Sequence, residues 1–532
     1  MRFTIIDCYT DEASGLGVLP TLGTYPRYIA GALTRAEQEF SYLTIDDIRA
    51  TVKLLESSGK DPKLKPLEKE VKTNTKIRNL TPNFAGVKQI LNNTDVLIII
   101  AGTHTPGKYL SAYPGTTKEI VQLLEKLQTE GKRSGRNKKN FTVLTGPAAH
   151  AGSGLWGGTI SRAVEEDLDH FDLIVKDLEY KVPELLENNF TVDPKININY
   201  KNIEKNIVLG GSLIKQLPLK PEFLIAEIET MKGCSRKVGC SFCTEPIKCA
   251  KVERREIKNI IAEIKALHDA GIENFRLGKQ TCFYSYGSNE EIEELLKQAK
   301  KYSKILHIDN VNPLFVNEEK TKSIVKYCTA GNIAAFGVES FDPEVVKKNR
   351  LNTSPDLTFK AIKIINKYGA ERGENGLPKF LPGINLIFGL IGESKKTNEH
   401  NIYWLQKILD EGLLLRRINI REVVVFPGTM LAEEAGDRFL KKNRKFYWKW
   451  RNDIRQKIDF PMLKRIAPEG TVMRDLRTEI YDGNTTFCRQ LGTYPLVVGV
   501  KGRLGLDKFV DIKVKSHMLR SLVGEVVEEV ID

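Results

Sequence analysis

The stretch IETMKGCSRKVGCSFCTEP, Ile228 to Pro246, brings Cys234, Cys240 and Cys243 together in the spacing C-x5-C-x2-C. Structural zinc sites and closed iron–sulfur clusters take four protein ligands. Three cysteines therefore leave one metal position open, unless Cys249, six residues after Cys243, completes the set. The chain has eight cysteines in all, and Cys8, Cys282, Cys328 and Cys488 stand alone in the sequence. That is too few and too scattered for a disulfide scaffold. The cluster reads as a metal site and the isolated cysteines as small buried hydrophobes.

Outward from the cysteines, the run FLIAEIET from Phe223 predicts a strand that ends just before them. Five more strand candidates follow: NFRLG (Asn274), KILHID (Lys304), IAAFGVE (Ile333), GINLIFGL (Gly383) and RINIREVVVF (Arg417). Helical patterns such as EIKNIIAEIKALHDAG from Glu256 lie between them. Six strands alternating with helices over residues 220–440 predict a complete or partial βα (TIM-like) barrel. The chemistry of such a barrel sits at the C-terminal ends of its strands, where the cysteine loop falls.

Residues 1–215 show the same alternation in an open form. The strand candidates are RFTIIDC (Arg2), FSYLTID (Phe40), DVLIIIAG (Asp95), FTVLTG (Phe141) and DLIVKD (Asp172). Between them lie helical runs from Tyr25, Thr116 and Ile160. In the second of these, Ile120, Leu123, Leu124 and Leu127 share one face. This pattern predicts a doubly wound, Rossmann-like parallel sheet. The Lys-rich piece Gly59–Lys72 reads as an exposed excursion, and residues 190–220 as a link.

The tail begins with a basic aromatic helical connector over 441–475, opening KKNRKFYWKWRNDIRQK. A small OB-like β-barrel over 476–532 follows, with its all-β pattern starting near Tyr481. Residues 441–532 hold 19 Lys and Arg against 12 Asp and Glu, over half of the chain's net +13. Such an excess suits an anionic partner, and Phe446, Tyr447, Trp448 and Trp450 offer stacking surfaces for RNA bases. Packing against the barrel accounts for at least two of these four aromatics. No run approaches the length of an apolar membrane span, and the N-terminus has no apolar signal core, so the expected location is cytoplasmic, with no membrane partner.

The cysteine loop resembles that of the radical SAM (S-adenosyl-L-methionine) superfamily, whose common spacing is C-x3-C-x2-C; here two extra residues separate Cys234 from Cys240. The resemblance implies a 4Fe-4S cluster on Cys234, Cys240 and Cys243, with SAM chelating the open iron and a one-electron reductant as partner. Phe242 matches the aromatic residue expected before the third cysteine. FGVES, Phe336 to Ser340, resembles the end of the fourth barrel strand, which implies SAM contacts for Glu339 and Ser340. GLIGES resembles the turn after the fifth strand, which places Gly389 by the cofactor. LGKQT resembles the end of the second strand, so Lys279, Gln280 and the nearby Cys282 are candidate substrate-facing residues at the mouth.

The first region resembles the cobalamin-binding-like domain that precedes many radical SAM barrels. Its usual D-x-H-x-x-G motif is absent. GTHTPG keeps His104, and VLTGPAAHAGSG supplies Gly146 and His150 as candidate residues for a cobalamin cofactor. Both histidines also read as ordinary polar residues on strand-end loops. The last 50 or so residues resemble a TRAM domain, an RNA-binding module. Methylthiotransferases share this layout but use three N-terminal cysteines for a second cluster; the first region here has only Cys8, which argues against sulfur insertion by that route. The resemblance thus implies a radical SAM enzyme modifying an unactivated C–H bond, by methylation of tRNA or rRNA. Two readings stay open beside it: cobalamin-dependent methylation of a protein or small molecule, and an RNA-binding protein with a structural four-cysteine metal site that includes Cys249.

Overall fold

The computed structural model describes residues 1–12, 15–58, 77–102, 110–132, 140–152, 158–161, 168–193, 199–236, 238–249 and 251–527. The Lys-rich excursion Gly59–Lys72, most of the helical run from Ile160, and His104 lie outside them.

The strand Val96–Ile100, VLIII, is buried on both faces, as a central parallel strand must be. It sits in a five-stranded parallel sheet of order Glu39–Thr44, Arg2–Asp7, Val96–Ile100, Phe141–Thr145, Leu173–Ile174. The chain steps from its first strand to one side and then returns to the other, so the switch point lies between Arg2–Asp7 and Val96–Ile100. Doubly wound sheets take their ligands outside the strand ends at such a point.

The central region is six parallel strands: Ile225–Glu229, Asn274–Gly278, Ile305–Val311, Asn332–Glu339, Phe380–Phe388 and Arg417–Glu422. The third is interrupted at Asp309, where its pairing passes from the second strand to the fourth. The arc does not close on itself. Thr21–Leu22 pairs in parallel with the first strand. On the far side, Ile160 bridges Val425, with Gly158 N donating to Val423 O at 3.0 Å and Val425 N to Thr159 O at 3.1 Å. Both open edges are thus occupied by backbone from the N-terminal region, which removes the hazard of an exposed edge strand.

The connector is a helix from Arg438 to Ile454, continued by Arg455–Asp459 and Phe460–Ile466. Leu440, Asn443, Tyr447, Trp450 and Ile454 form its buried face, while Trp448 is 66% exposed. Tyr447 and Trp450 pack on Phe388, and Phe446 stacks on Trp450.

The tail is a closed five-stranded barrel of order Val472–Asp482, Thr485–Gln490, Val497–Lys501, Leu522–Val526, Phe509–His517. Its first strand begins about ten residues earlier than the sequence pattern suggests. VMRDLRTEIYD shows no apolar alternation because Arg477 and Glu479 are buried as partnered charges, with Arg477 on Asp507 at 2.6 Å and Arg489 on Glu479 at 2.6 Å. Among the described residues no helix is long and apolar enough to cross a membrane.

Candidate active site

The cysteine loop leaves the first barrel strand and is closed at its base by a short ribbon, Met231–Lys232 against Glu253–Arg254. Its middle is pinned by Asn349, which is fully buried. Ser241 N donates to Asn349 O at 3.0 Å, and Ser241 Oγ to Asn349 Oδ1 at 2.7 Å. The same side chain receives Ile391 N at 3.1 Å and donates to Val345 O and Ile391 O, each at 2.8 Å. Leu431 N closes the arrangement on Ser241 O at 2.8 Å. Ser241 lies between Cys240 and Cys243, so this knot fixes two of the three sulfurs. Nothing in the sequence around Asn349 marks it, since apart from Val345, four residues back, its partners lie 42 and 108 residues away.

Cys234, Cys240 and Cys243 are free and half-buried. Burial pushes the Cys240 thiol up to about 11; Arg236 opposes this, with its guanidinium 3.2 Å from the sulfur, while Glu339 and Cys234 add to it. Burial likewise pushes Cys243 up to about 12, with Glu245 adding to it. Cys240 is therefore in electrostatic reach of both other cysteines and of Glu339. Among the described residues no group of three or more His, Cys, Asp or Glu is arranged around a single metal ion. Three thiols around a wider, multi-iron group is a different geometry, and binding it would displace their protons.

Cys249 stands apart. Its thiol donates to Lys251 O at 2.8 Å and packs among Tyr28, Tyr180, Tyr200, Ile203 and Ile207. That aromatic pocket belongs to the junction with the N-terminal region, and the thiol is already committed there.

Glu339 ends the fourth strand at φ +62°, just past a β-bulge after Gly337. Its Oε2 is out of water and has no hydrogen-bond partner. Burial raises its carboxyl to about 8, against the pull of Arg421. A half-buried carboxyl group whose Oε2 is out of water and unpartnered, within electrostatic reach of Cys240, is a ready acceptor for an ammonium group. Ser340 is buried, and its hydroxyl accepts Asp342 N at 3.1 Å, which shapes the following turn. Gly389 has φ +96°, and a Cβ there would meet Leu440 Cδ2 at 2.3 Å. The packing of the connector helix thus explains this glycine. Phe242 packs with Cys240 against the group that includes Leu390, Val423 and Leu431.

The residues expected at the mouth are occupied within the protein. Lys279 Nζ is held by Glu12 and by Tyr25 OH at 2.7 Å. Gln280 accepts Thr230 Oγ1 at 3.2 Å and donates to Leu277 O at 3.1 Å, and Cys282 lies in the main core. The sequence shows lysine and glutamine at a strand end. It does not show that Glu12, more than 260 residues away, claims the lysine.

Glu12 belongs to a buried ionic seam that was not legible in the sequence. It also holds Lys248 at 2.6 Å, while Lys232 is held by Asp177 at 3.3 Å and Glu179 at 3.2 Å. The Tyr200 hydroxyl donates to Glu229 at 2.6 Å. His150, in the short helix Ala148–Ala151, lies 3.2 Å from Asp177 through Nε2, and its buried Nδ1 has no partner. Gly146 lies at the turn before it, where a Cβ would come within 2.7 Å of Ala101 O.

Known proteins resemble this chain to different extents. The sequence profile described as Radical SAM superfamily matches residues 228–405, which span the cysteine loop and the strand ends above. An uncharacterized protein of Methanocaldococcus jannaschii, MJ0274, is 40% identical over 562 residues, covering 99% of this chain and 94% of the relative. The tRNA-2-methylthio-N(6)-dimethylallyladenosine synthase of Clostridium novyi is 28% identical over 255 residues, which is 46% of this chain and 52% of that enzyme. Among solved structures, the cobalamin-dependent S-adenosylmethionine radical enzyme OxsB shares the fold, with a TM-score of 0.50 at 12% identity over 84% of this chain and 56% of that one.

Proposed function

We propose, from the premise that this chain belongs to the radical SAM superfamily, that it methylates an RNA at an unactivated C–H position. The observation that carries the radical reading is the divided cysteine set. Cys234, Cys240 and Cys243 share one loop, with Cys243 N donating to Cys240 O at 3.1 Å and Glu339, whose Oε2 is unpartnered, in electrostatic reach of Cys240, while Cys249 is committed elsewhere. Cys234, Cys240 and Cys243 would hold a 4Fe-4S cluster, which would supply one-electron reductive cleavage of SAM for removal of a hydrogen atom from the RNA, while a separate methyl donor, a second SAM or a methylated cobalamin, would supply the carbon.

The chain's own residues then have definite tasks. Glu339 Oε2 takes the ammonium of SAM, which satisfies both charges without added water. Phe242 shields the sulfurs. The Asn349 knot keeps Cys240 and Cys243 from drifting. The N-terminal segments at both edges of the barrel exclude water from its sides. The RNA assignment rests on the basic tail and on the partial likeness to a tRNA-modifying synthase.

A second reading, methylation through cobalamin of a protein or small molecule, is favoured by His150. A buried imidazole oriented by a carboxylate, with its other nitrogen unpartnered, has the donor set of a metal-ligating histidine. Cobalamin held there and along the Gly146 turn would supply a transferable methyl group.

Anaerobic reconstitution with iron and sulfide, reduction with SAM present and chromatography for 5′-deoxyadenosine test the core reading. The expected result is deoxyadenosine in the native protein and none in Cys240→Ala. A protein that takes up zinc and no iron would overturn it.

A further inference from the structure

The solvent face of the connector helix carries Arg438, Lys441, Lys442, Lys445, Trp448 and Lys449, all exposed, opposite its buried stripe. Across Arg438–Ile454 there are seven basic residues and one acidic one, Asp453. Among the described residues Lys442, Lys445 and Lys449 join no ion pair, and two of them approach rings: Lys442 that of Phe439 and Lys445 that of Phe446. Trp448 flanks their line, with the Arg451 guanidinium 5.2 Å over its ring. A packing helix does not need its largest aromatic in water.

The position of this helix matters as much as its charge. Leu440 meets Gly389 and Asn443 Nδ2 donates to Glu393 Oε1 at 2.8 Å, so its first turns border the mouth-side end of the fifth strand. At its other end Arg455 donates to Ile418 O at 2.6 Å, near the start of the sixth strand. From Leu440 to Trp450 it therefore lies against the mouth-side end of the fifth strand, where Tyr447 and Trp450 pack on Phe388, and only beyond it does Arg455 reach toward the floor. The tail barrel sits on the floor: Phe509 packs on Phe223, before the first strand, and Tyr494 OH donates to Asp309 at 2.9 Å. A nucleic acid held on the tail barrel alone would lie at the wrong end of the βα barrel from the cysteines.

We propose that the exposed face of this helix is the track that leads a single-stranded RNA segment to the mouth, with Lys442, Lys445 and Lys449 neutralising phosphates and Trp448 stacking an unpaired base. The inference rests on the RNA reading above and adds where the strand lies. Unpaired cations spaced along a line match a phosphate backbone, and a lone exposed indole among them matches a base face.

The test is equilibrium binding of a labelled mixed-sequence single-stranded RNA, and separately of labelled polyglutamate, across a salt series. Thermal melting of each variant confirms that it is folded. For the native protein, log K falls linearly with log salt. In the Lys442→Ala/Lys445→Ala/Lys449→Ala variant that slope shrinks by about 2, at about 0.7 for each phosphate left without its lysine. Trp448→Ala weakens binding about tenfold by removing the stack, with little change in slope. Native protein that binds RNA while both variants bind equally well overturns the track and leaves the RNA reading standing. Native protein that does not bind RNA overturns both. Polyglutamate bound as tightly as RNA, with the same losses in the variants, assigns the face to an acidic protein and overturns the inference.

Discussion

Cys249 and Glu339 divide the chemistry at the scale of single residues. Cys249 follows Cys243 at a distance that would suit a fourth ligand, and only its burial among three tyrosines separates it from the set. Cys249→Ala is therefore expected to keep its full iron content after reconstitution, and Cys240→Ala to lose it, as read by iron and sulfide analysis. For Glu339, replacement by glutamine keeps the shape and removes the charge. A hydrogen bond to a charged group is worth roughly 1.5–3 kcal/mol, so SAM affinity in equilibrium dialysis is expected to drop at least about tenfold with the cluster intact. The sequence singles out Cys249 by its spacing from Cys243 and Glu339 by the resemblance of FGVES to a family strand end. It does not single out Asn349: a lone asparagine after a helix carries no pattern, and its four side-chain bonds join segments that only the fold brings together.

The loop and the helix that pin the sulfurs act as one element. Truncating Asn349 to alanine would strand Ser241 Oγ and the Ile391 backbone groups out of water. One unsatisfied buried polar group costs about 1–3 kcal/mol, so the melting temperature should fall, and iron occupancy should fall with it while Cys234, Cys240 and Cys243 remain in place. Retained occupancy at a lowered melting temperature would show the knot to be purely structural. Element reading from sequence succeeded where one face is apolar, as in Thr117–Lys132, and failed where charges are buried. Val472–Asp482 is such a strand, since its Glu479 is completed by Ser111 and Arg489. The hairpin Thr10–Glu12 with Gly15–Gly17, and the two-residue strand Thr21–Leu22, were too short to register against the glycine-rich loop that contains them.

The whole molecule is held by polar contacts that cross its regions. Tyr494, at φ +53°, reaches from the tail barrel into the floor of the βα barrel, donating to Asp309 with the Arg417 guanidinium 4.0 Å from its ring. Removing a fully buried aromatic side chain costs about 3–5 kcal/mol, and the half-buried Tyr494 falls below that range. Tyr494→Ala is thus expected to lower the melting temperature of the entire protein. Deleting the tail would expose the same floor, so a dead truncation would say nothing about RNA. The pH dependence has two signs. Asp47, Glu227 and Glu393 are raised by burial to about 7, so the folded state holds their protons more tightly and loses stability as pH rises from the ordinary carboxylate range to about 7. Glu12 and Asp177 are buried too, but the lysines beside Glu12 and Lys232 with His150 beside Asp177 hold both well below their ordinary values. Their contribution is present above the ordinary range and lost in acid. Calorimetric melting should therefore peak at about pH 5 and decline on both sides. The barrel and the open sheet could be anticipated from alternating strands and helices. The seam of Glu12, Asp177, Lys232, Lys248 and Lys279 could not, because paired charges in an interior look like ordinary surface charges in a sequence.

The strands laid along both rims of the βα barrel carry a consequence for how such a protein can change over time. Residues 21–22 and 158–161 supply backbone to the barrel's wall, so its first and last strands have no independent boundary. A gene fragment encoding only the catalytic barrel would inherit two raw rims and would have to find new neighbours before it could be reused elsewhere. The N-terminal sheet and the barrel are thus bound to travel as one heritable unit, whatever happens to the tail.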